Sequence, residues 1–199
     1  MSSESTDVVA PGGKPAGEAA ILAGVQKAIT NPTTVTAARG LSHFGEHSLG
    51  WLALAGAGAL VASRRGNQTA KRRYIEAGIG AFGAHAASVI IKRIVRRPRP
   101  NHPDIQVGVG TPSKLSFPSS HATSTTAAAI LLGRAAGLNP VVAPAVIVPP
   151  MLLSRLVLGV HYPTDVLAGA AIGAASAGAV IAGDKLVGDK LFASRKPGV

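Results

Sequence analysis

Five apolar runs separated by short polar breaks dominate the pattern of hydrophobic and polar positions. The first covers about Ser48 to Ala62, extends back towards Leu41, and stops at Ser63-Arg64-Arg65. The second, about Tyr74 to Val95, follows Lys71-Arg72-Arg73, and the third runs from about Ser119 to Leu138. The fourth covers about Val141 to Val160 and the fifth about Pro163 to Ala182. A helix needs roughly 17–25 mostly apolar residues to cross a bilayer. The pattern therefore predicts an all-α integral membrane helical bundle of about five transmembrane helices. Pro144, Pro149 and Pro150 remove backbone donors from the fourth run and predict a kink. Gly169 and Gly173 give the fifth a Gly-x-x-x-Gly face suited to close helix contact.

Ahead of these runs, Ile21, Leu22, Val25 and Ile29 form a helical stripe with Gln26 and Lys27 outside it, ended by Asn31-Pro32. That stretch is too short to span and predicts an amphipathic helix at the membrane interface. The chain divides into a disordered tail (1–17), an amphipathic interfacial segment (18–42), a transmembrane domain (43–184) and a basic tail (185–199). Its start lacks the basic region and apolar core of a signal peptide.

Composition strengthens the membrane reading. Hydrophobic residues make up 47%, charged residues 15%, and 24 residues are glycine; a soluble chain carries about a quarter charged residues. Small residues let helix backbones approach in lipid. Without cysteine, disulfides, thiolate metal sites and cysteine nucleophiles are excluded. The net charge of +11 raises nucleic acid as a partner, but the cations cluster between apolar runs and aromatics for base stacking are few. Basic loops meeting a lipid surface account for it better.

Three polar pieces sit at edges of the apolar runs: Lys92 to Pro100, Pro118 to His121, and Ser154 to Asp165. The chain reverses between the second and third spans and between the fourth and fifth, so all three pieces fall at one membrane face. Lys92 and Arg99 lie seven apart, two helical turns, until Pro98 and Pro100 end the helix. Both offer donors to phosphate oxygens. Arg93, Arg96 and Arg97 read instead as contacts to lipid headgroups. Ser119 and Ser120 start a helix, where free amides and the dipole attract anions.

Arg155 lies just inside the membrane end of the fourth span, where a cation is costly without an anion. His161 precedes Asp165 by four residues, so the carboxylate can accept one imidazole N–H and leave the other nitrogen as a nucleophile. His121 is then available as general acid.

The motifs Lys-x6-Arg-Pro, Pro-Ser-x-His and Ser-Arg-x5-His-x3-Asp resemble those of the type 2 phosphatidic acid phosphatase superfamily, which includes vanadium haloperoxidases. The resemblance covers Lys92 to Asp165 and, through the helical layout, most of 45–183. It implies dephosphorylation without metal or other cofactor through a phosphohistidine. Lys92, Arg99, Ser119, Ser120 and Arg155 would bind phosphate, His161 would attack, Asp165 would orient it and His121 would act as acid. The family usually has Gly where Ser120 stands, and larger members have six full spans.

His43-Phe-Gly-Glu46-His47 matches a zinc-peptidase pattern. However, Glu76, the nearest third ligand, falls at the opposite face, roughly 30 Å away. His43 and Glu46 are assigned instead to the path by which substrate enters. The implied partners are a lipid phosphate, polyprenyl-linked or glycerolipid, and the bilayer, with no nucleic acid. Cations outside the site, Arg64, Arg65, Lys71, Arg72, Arg73, Arg134, Lys185, Lys190, Arg195 and Lys196, favour an extracytoplasmic site in the plasma (inner) membrane. A weakly catalytic lipid-phosphate scaffold or transporter of the same fold is the alternative. A soluble haloperoxidase-like enzyme is disfavoured by the apolar runs.

Overall fold

The Asn31-Pro32 step that interrupts the N-terminal stripe is itself a helix start. The Asn31 side chain accepts the Thr34 N–H (3.0 Å) and the Thr34 hydroxyl accepts the Asn31 N–H (2.9 Å). Pro32 occupies the first turn, where no N–H is needed. In the computed structural model, which describes residues 14–193, this helix is α2 (Pro32–Gly45), preceded by α1 (Gly17–Ile29). A 3-10 turn at Glu46–Ser48 leads to α3 (Leu49–Arg64), then α4 (Gln68–Val95), α5 (Ser120–Ala135), α6 (Val142–Val157) and α7 (Pro163–Ala193). The five apolar runs correspond to α3 through α7. Among the described residues there is no strand, only an isolated bridge between Pro98 and Leu115. The expected tails lie partly outside the described residues, at 1–13 and 194–199; residues 185–193 continue α7.

Side-chain size is distributed inversely to that of a water-soluble helix. In α4 the buried positions are Ala77, Gly78, Gly80, Ala81, Ala84, Ser88 and Lys92. Ile75, Ile79, Phe82, Ile90 and Ile94 point outward, 46% to 74% exposed. A continuous exposed stripe of large apolar groups is costly in water and stable against lipid. Two helices, Gln68–Val95 and Pro163–Leu186, are long and apolar enough to cross a membrane. The other three have 16 residues each, about 24 Å against a hydrocarbon core of about 30 Å. For α5 the reason is its position: Ala122 through Ala129 are buried among α4, α6 and α7.

Helix α6 runs through both Pro149 and Pro150, and one local expectation changes. In α1, Gln26 is buried at 6% exposure while Ile21 and Ile29 are exposed. The Gln26 amide donates to the carbonyls of Gln106 (2.8 Å) and Val157 (3.0 Å) and accepts the Gln106 N–H (3.0 Å). Those bonds turn the Leu22–Gln26 face inward, because buried backbone groups need partners more than Ile21 and Ile29 need cover.

Helices α5 and α7 cross where Gly169 and Gly173 face Ser119, Ala122, Thr123 and Thr126. At the far end Arg72 and Arg134 both pair with Glu76 (3.4 and 3.3 Å) and with Asp184, tying α4, α5 and α7 together. A β-carbon at Gly169 would stand 2.7 Å from the Ser119 carbonyl oxygen, and one at Gly173 2.9 Å from the Thr126 β-carbon. Either Gly→Ala change is expected to lower stability by about 1–3 kcal/mol. Gly178→Ala meets nothing within 4 Å and is expected to be neutral. Thermal unfolding in detergent compares the three.

Candidate active site

Helix α4 stops earlier than its prolines suggest. Arg96 takes a left-handed conformation (φ 55°) and returns its N–H to Lys92, and Arg97, ahead of Pro98, is biased to extended backbone. Arg99 therefore reaches the site on the following loop and not two turns along a helix. The Arg99 N–H donates to Lys114 O (3.1 Å) and the Ser116 N–H to Arg97 O (2.8 Å). Lys92 Nζ donates to Leu115 O (3.2 Å). The loop is thus folded over the end of the bundle with both cations facing inward.

Lys92, Arg99, Ser120, His121, Arg155 and His161 line one cavity of about 720 Å³, together with Glu46. His43 is exposed and not part of its wall. Ser119 is also outside it. Its hydroxyl caps Ala122 (3.4 Å) and its N–H donates to the Asp165 carbonyl (3.0 Å). The serine that faces the cavity is Ser120, whose hydroxyl accepts from Ser88 (2.7 Å). Among the described residues no three His, Asp or Glu side chains form a group able to hold a metal ion.

His161 lies in the turn before α7 and is 2% exposed. Its Nε2 is 3.2 Å from an Arg99 guanidinium nitrogen. A guanidinium can only donate, so Nε2 carries the lone pair and the ring proton sits on Nδ1. Nδ1 faces Asp165 Oδ2 at 3.6 Å, within ion-pair range and just beyond a hydrogen bond. Burial pushes the imidazole down to about 3; Asp165 opposes this, and the Arg99 and Lys92 charges assist. Burial also brings Arg99 down to about 10, with Asp165 opposing, so it stays cationic at neutral pH.

His121 Nε2 lies 3.0 Å from the Ser42 carbonyl, which places a proton on that nitrogen. Arg155 is 2% exposed. It donates to the hydroxyls of Ser42 (3.1 Å) and Ser154 (3.2 Å), and its second terminal nitrogen is buried without a partner. An unpaired guanidinium nitrogen on a cavity wall favours an anionic oxygen opposite it.

Of the three arginines read from sequence as headgroup contacts, Arg93 and Arg96 line the cavity, while Arg97 stands outside its wall and braces Asp165 from behind. It donates to Asp165 Oδ1 (3.0 Å) and Thr164 Oγ1 (2.7 Å), pairs with Glu18, and lies 4.2 Å over the Tyr162 ring. Glu18 also accepts the Thr164 N–H (2.9 Å). Four neighbouring arginines hide which of them pairs with Asp165, and Glu18 and Ser42 lie 79 residues from the groups they serve. His85, also missed, had a signal: an ionisable residue in the middle of an apolar run.

Residues 73–185 match the family model described as PAP2 superfamily. The chain is similar to a decaprenylphosphoryl-5-phosphoribose phosphatase of Mycolicibacterium smegmatis, 64% identical over 157 residues, spanning 78% of this chain and 82% of that protein. A protein of the same name from Mycobacterium tuberculosis is 58% identical over 161 residues, 80% of this chain and 86% of the relative. Among solved structures, the transmembrane PAP2-type phosphatidylglycerolphosphate phosphatase of Bacillus subtilis superposes with a TM-score of 0.63. It covers 84% of this chain and 86% of its own at 22% identity, which speaks for the fold.

Two outcomes follow from this geometry. Arg97→Ala leaves the buried Asp165 short of a partner and is expected to cost about 2–3 kcal/mol. Glu18→Ala, at a partly exposed pair, is expected to cost about 1 kcal/mol. Denaturant midpoints in detergent give the order. For His161, the folded state stays neutral down to about 3 while the unfolded chain takes up a proton below 6.5. Stability is therefore expected to fall as pH drops through that window, and less steeply in His161→Asn.

Proposed function

Because the chain belongs to the PAP2 superfamily, we propose that it is a membrane lipid phosphatase whose His161 forms a phosphohistidine, acting on a decaprenyl-linked phosphoribose like that in the names of its relatives. The phosphatase activity and the lipid-phosphate class follow from the family and from relatives at 58% and 64% identity. The residue roles rest on one observation above all. The His161 lone pair faces a cavity rich in cations while its proton is directed at Asp165.

In this reading Lys92, Arg99 and Arg155 hold the phosphoryl oxygens, helped by Ser120 and the N-terminus of α5. His161 Nε2 attacks phosphorus, forming a P–N bond as the P–O bond to the sugar breaks, and protonated His121 gives its proton to the departing oxygen. Water then attacks the phosphohistidine while His121 takes up a proton from it. Inorganic phosphate leaves and both histidines return to their starting forms. Asp165 holds the His161 tautomer and balances the positive charge that develops on the ring. Ser119 acts one step back, by positioning Asp165. No metal ion is required by these steps.

The finer membrane layout belongs to the same reading. Helices α3 to α7 cross the bilayer of the plasma membrane with α1 and α2 at its surface. The cations at the end away from the site favour a cytoplasmic position for that end and an extracytoplasmic one for the cavity. Residues 43–184 form the catalytic unit, and His43 stands outside the cavity mouth that Glu46 lines.

The test is phosphate release by detergent-purified protein in EDTA, from polyprenyl phosphosugar and glycerolipid phosphates. Metal-independent turnover of the phosphosugar lipid is expected. His161→Ala should lose at least about 10³-fold in kcat, and Asp165→Asn about 10²-fold or more. Tight binding of the lipids without release by the unaltered chain would overturn the enzyme reading in favour of a lipid-phosphate carrier.

A further inference from the structure

A phosphate group fills only part of the cavity. Its volume of about 720 Å³ is that of a site for a whole small molecule. The cations described above share its wall with Glu46, His47 and His85, and the phosphoryl-transfer steps use none of these three.

The backbone there is strained. His47 (φ 49°) and Ser48 (φ 62°) are consecutive non-glycine residues in the left-handed region, at the junction of α2 and α3. Glycine would hold that conformation without strain, so the cost is borne by side chains placed where they are for another reason. The kink sets Glu46 and His47 on the cavity wall, with the His47 ring 5.9 Å from that of His85.

These groups lack partners. Among the described residues the Glu46 carboxylate makes no hydrogen bond or ion pair, and its interaction is electrostatic, with Arg155. His85 Nδ1 is buried without a partner. An ionised carboxylate only accepts hydrogen bonds and repels a phosphate dianion. The ligand group it meets is therefore a neutral donor. Two carboxylate oxygens match two adjacent hydroxyls, and an imidazole nitrogen takes a third as donor or acceptor.

We propose that Glu46, with His85 and His47, forms a hydroxyl-recognising subsite. It selects substrates whose phosphate is carried on a polyhydroxylated headgroup, a sugar, over those whose phosphate is joined directly to an alkyl chain. This rests on the phosphatase reading above and adds to it the origin of headgroup selectivity. Arg155 joins the two sets of groups, since it keeps one nitrogen unpaired and interacts electrostatically with Glu46.

Binding separates this proposal from catalysis. Ribose 5-phosphate and 1-pentyl phosphate present the same phosphate with and without hydroxyls. Each is titrated calorimetrically into the full-length His161→Ala protein, which removes turnover. Ribose 5-phosphate is expected to bind at least about tenfold tighter, the discrimination of hydrogen bonds to a charged group. Adding Glu46→Ala is expected to erase that ratio. The near-isosteric Glu46→Gln retains one acceptor and is expected to reduce it in part, which guards against misfolding of the alanine variant. Equal binding of the two ligands, or a ratio that survives Glu46→Ala, overturns the subsite. A ratio that behaves as expected, with no phosphate released by the unaltered chain from any phosphosugar lipid, upholds the subsite and overturns the phosphatase reading instead.

Discussion

The carboxylate of Asp165 is fully buried, and a buried charge is stable only when it is paired and hydrogen-bonded. Its partners come from separate parts of the chain. Arg97 arrives on the loop after α4, and the Tyr162 N–H (2.8 Å) and His161 come from the turn before α7. The Asp165 backbone carbonyl takes the N–H of Ser119 at the start of α5. Pairing the carboxylate brings the end of α4 to the start of α7, and the backbone bond adds the start of α5. Glu18 extends the set to α1 through Arg97 and Thr164.

That convergence is possible because the rest of the bundle makes few demands of its own. Small residues line the contacts between α4, α5 and α7, so the helices approach closely wherever their ends are held. Large apolar groups are left on the outside, where lipid accepts them. Most hydroxyls of α5 are buried beside the site, and Thr123 and Ser124 return theirs to the carbonyls of Ser119 and His121 in the preceding turn. The polar end is covered by the loop over 96–119, which contributes cations to the cavity wall and packs Ile105 into the core. The result is a water-accessible cationic cavity at the end of an apolar bundle, a place suited to a phosphate on a lipid anchor.

The electrostatics of the cavity divide by partner. Asp165 accepts from Arg97 and the Tyr162 N–H and faces His161 Nδ1 at ion-pair distance. Arg155 keeps a nitrogen unpaired, and among the described residues the Glu46 carboxylate and His85 Nδ1 have no hydrogen-bond partner. Unpaired donors and unpaired acceptors in one cavity describe a ligand with an anionic part and a hydroxylated part.

Much of this was legible in the residue order. Period and length of the apolar runs located the five helices α3 to α7, because long apolar runs between polar breaks are a strong local signal. The reversal of direction between runs placed Lys92, Arg99, His121, Arg155 and His161 at one end, since each turn returns the chain to the same face. What the sequence could not decide was the use made of each polar group once they met. Arg97 rather than a free headgroup contact, Ser120 rather than Ser119 on the cavity wall, and Gln26 turned inward all depend on partners far away in the chain. A hydrogen bond is chosen by which donors and acceptors lie within about 3 Å, and that proximity exists only after the helices have packed.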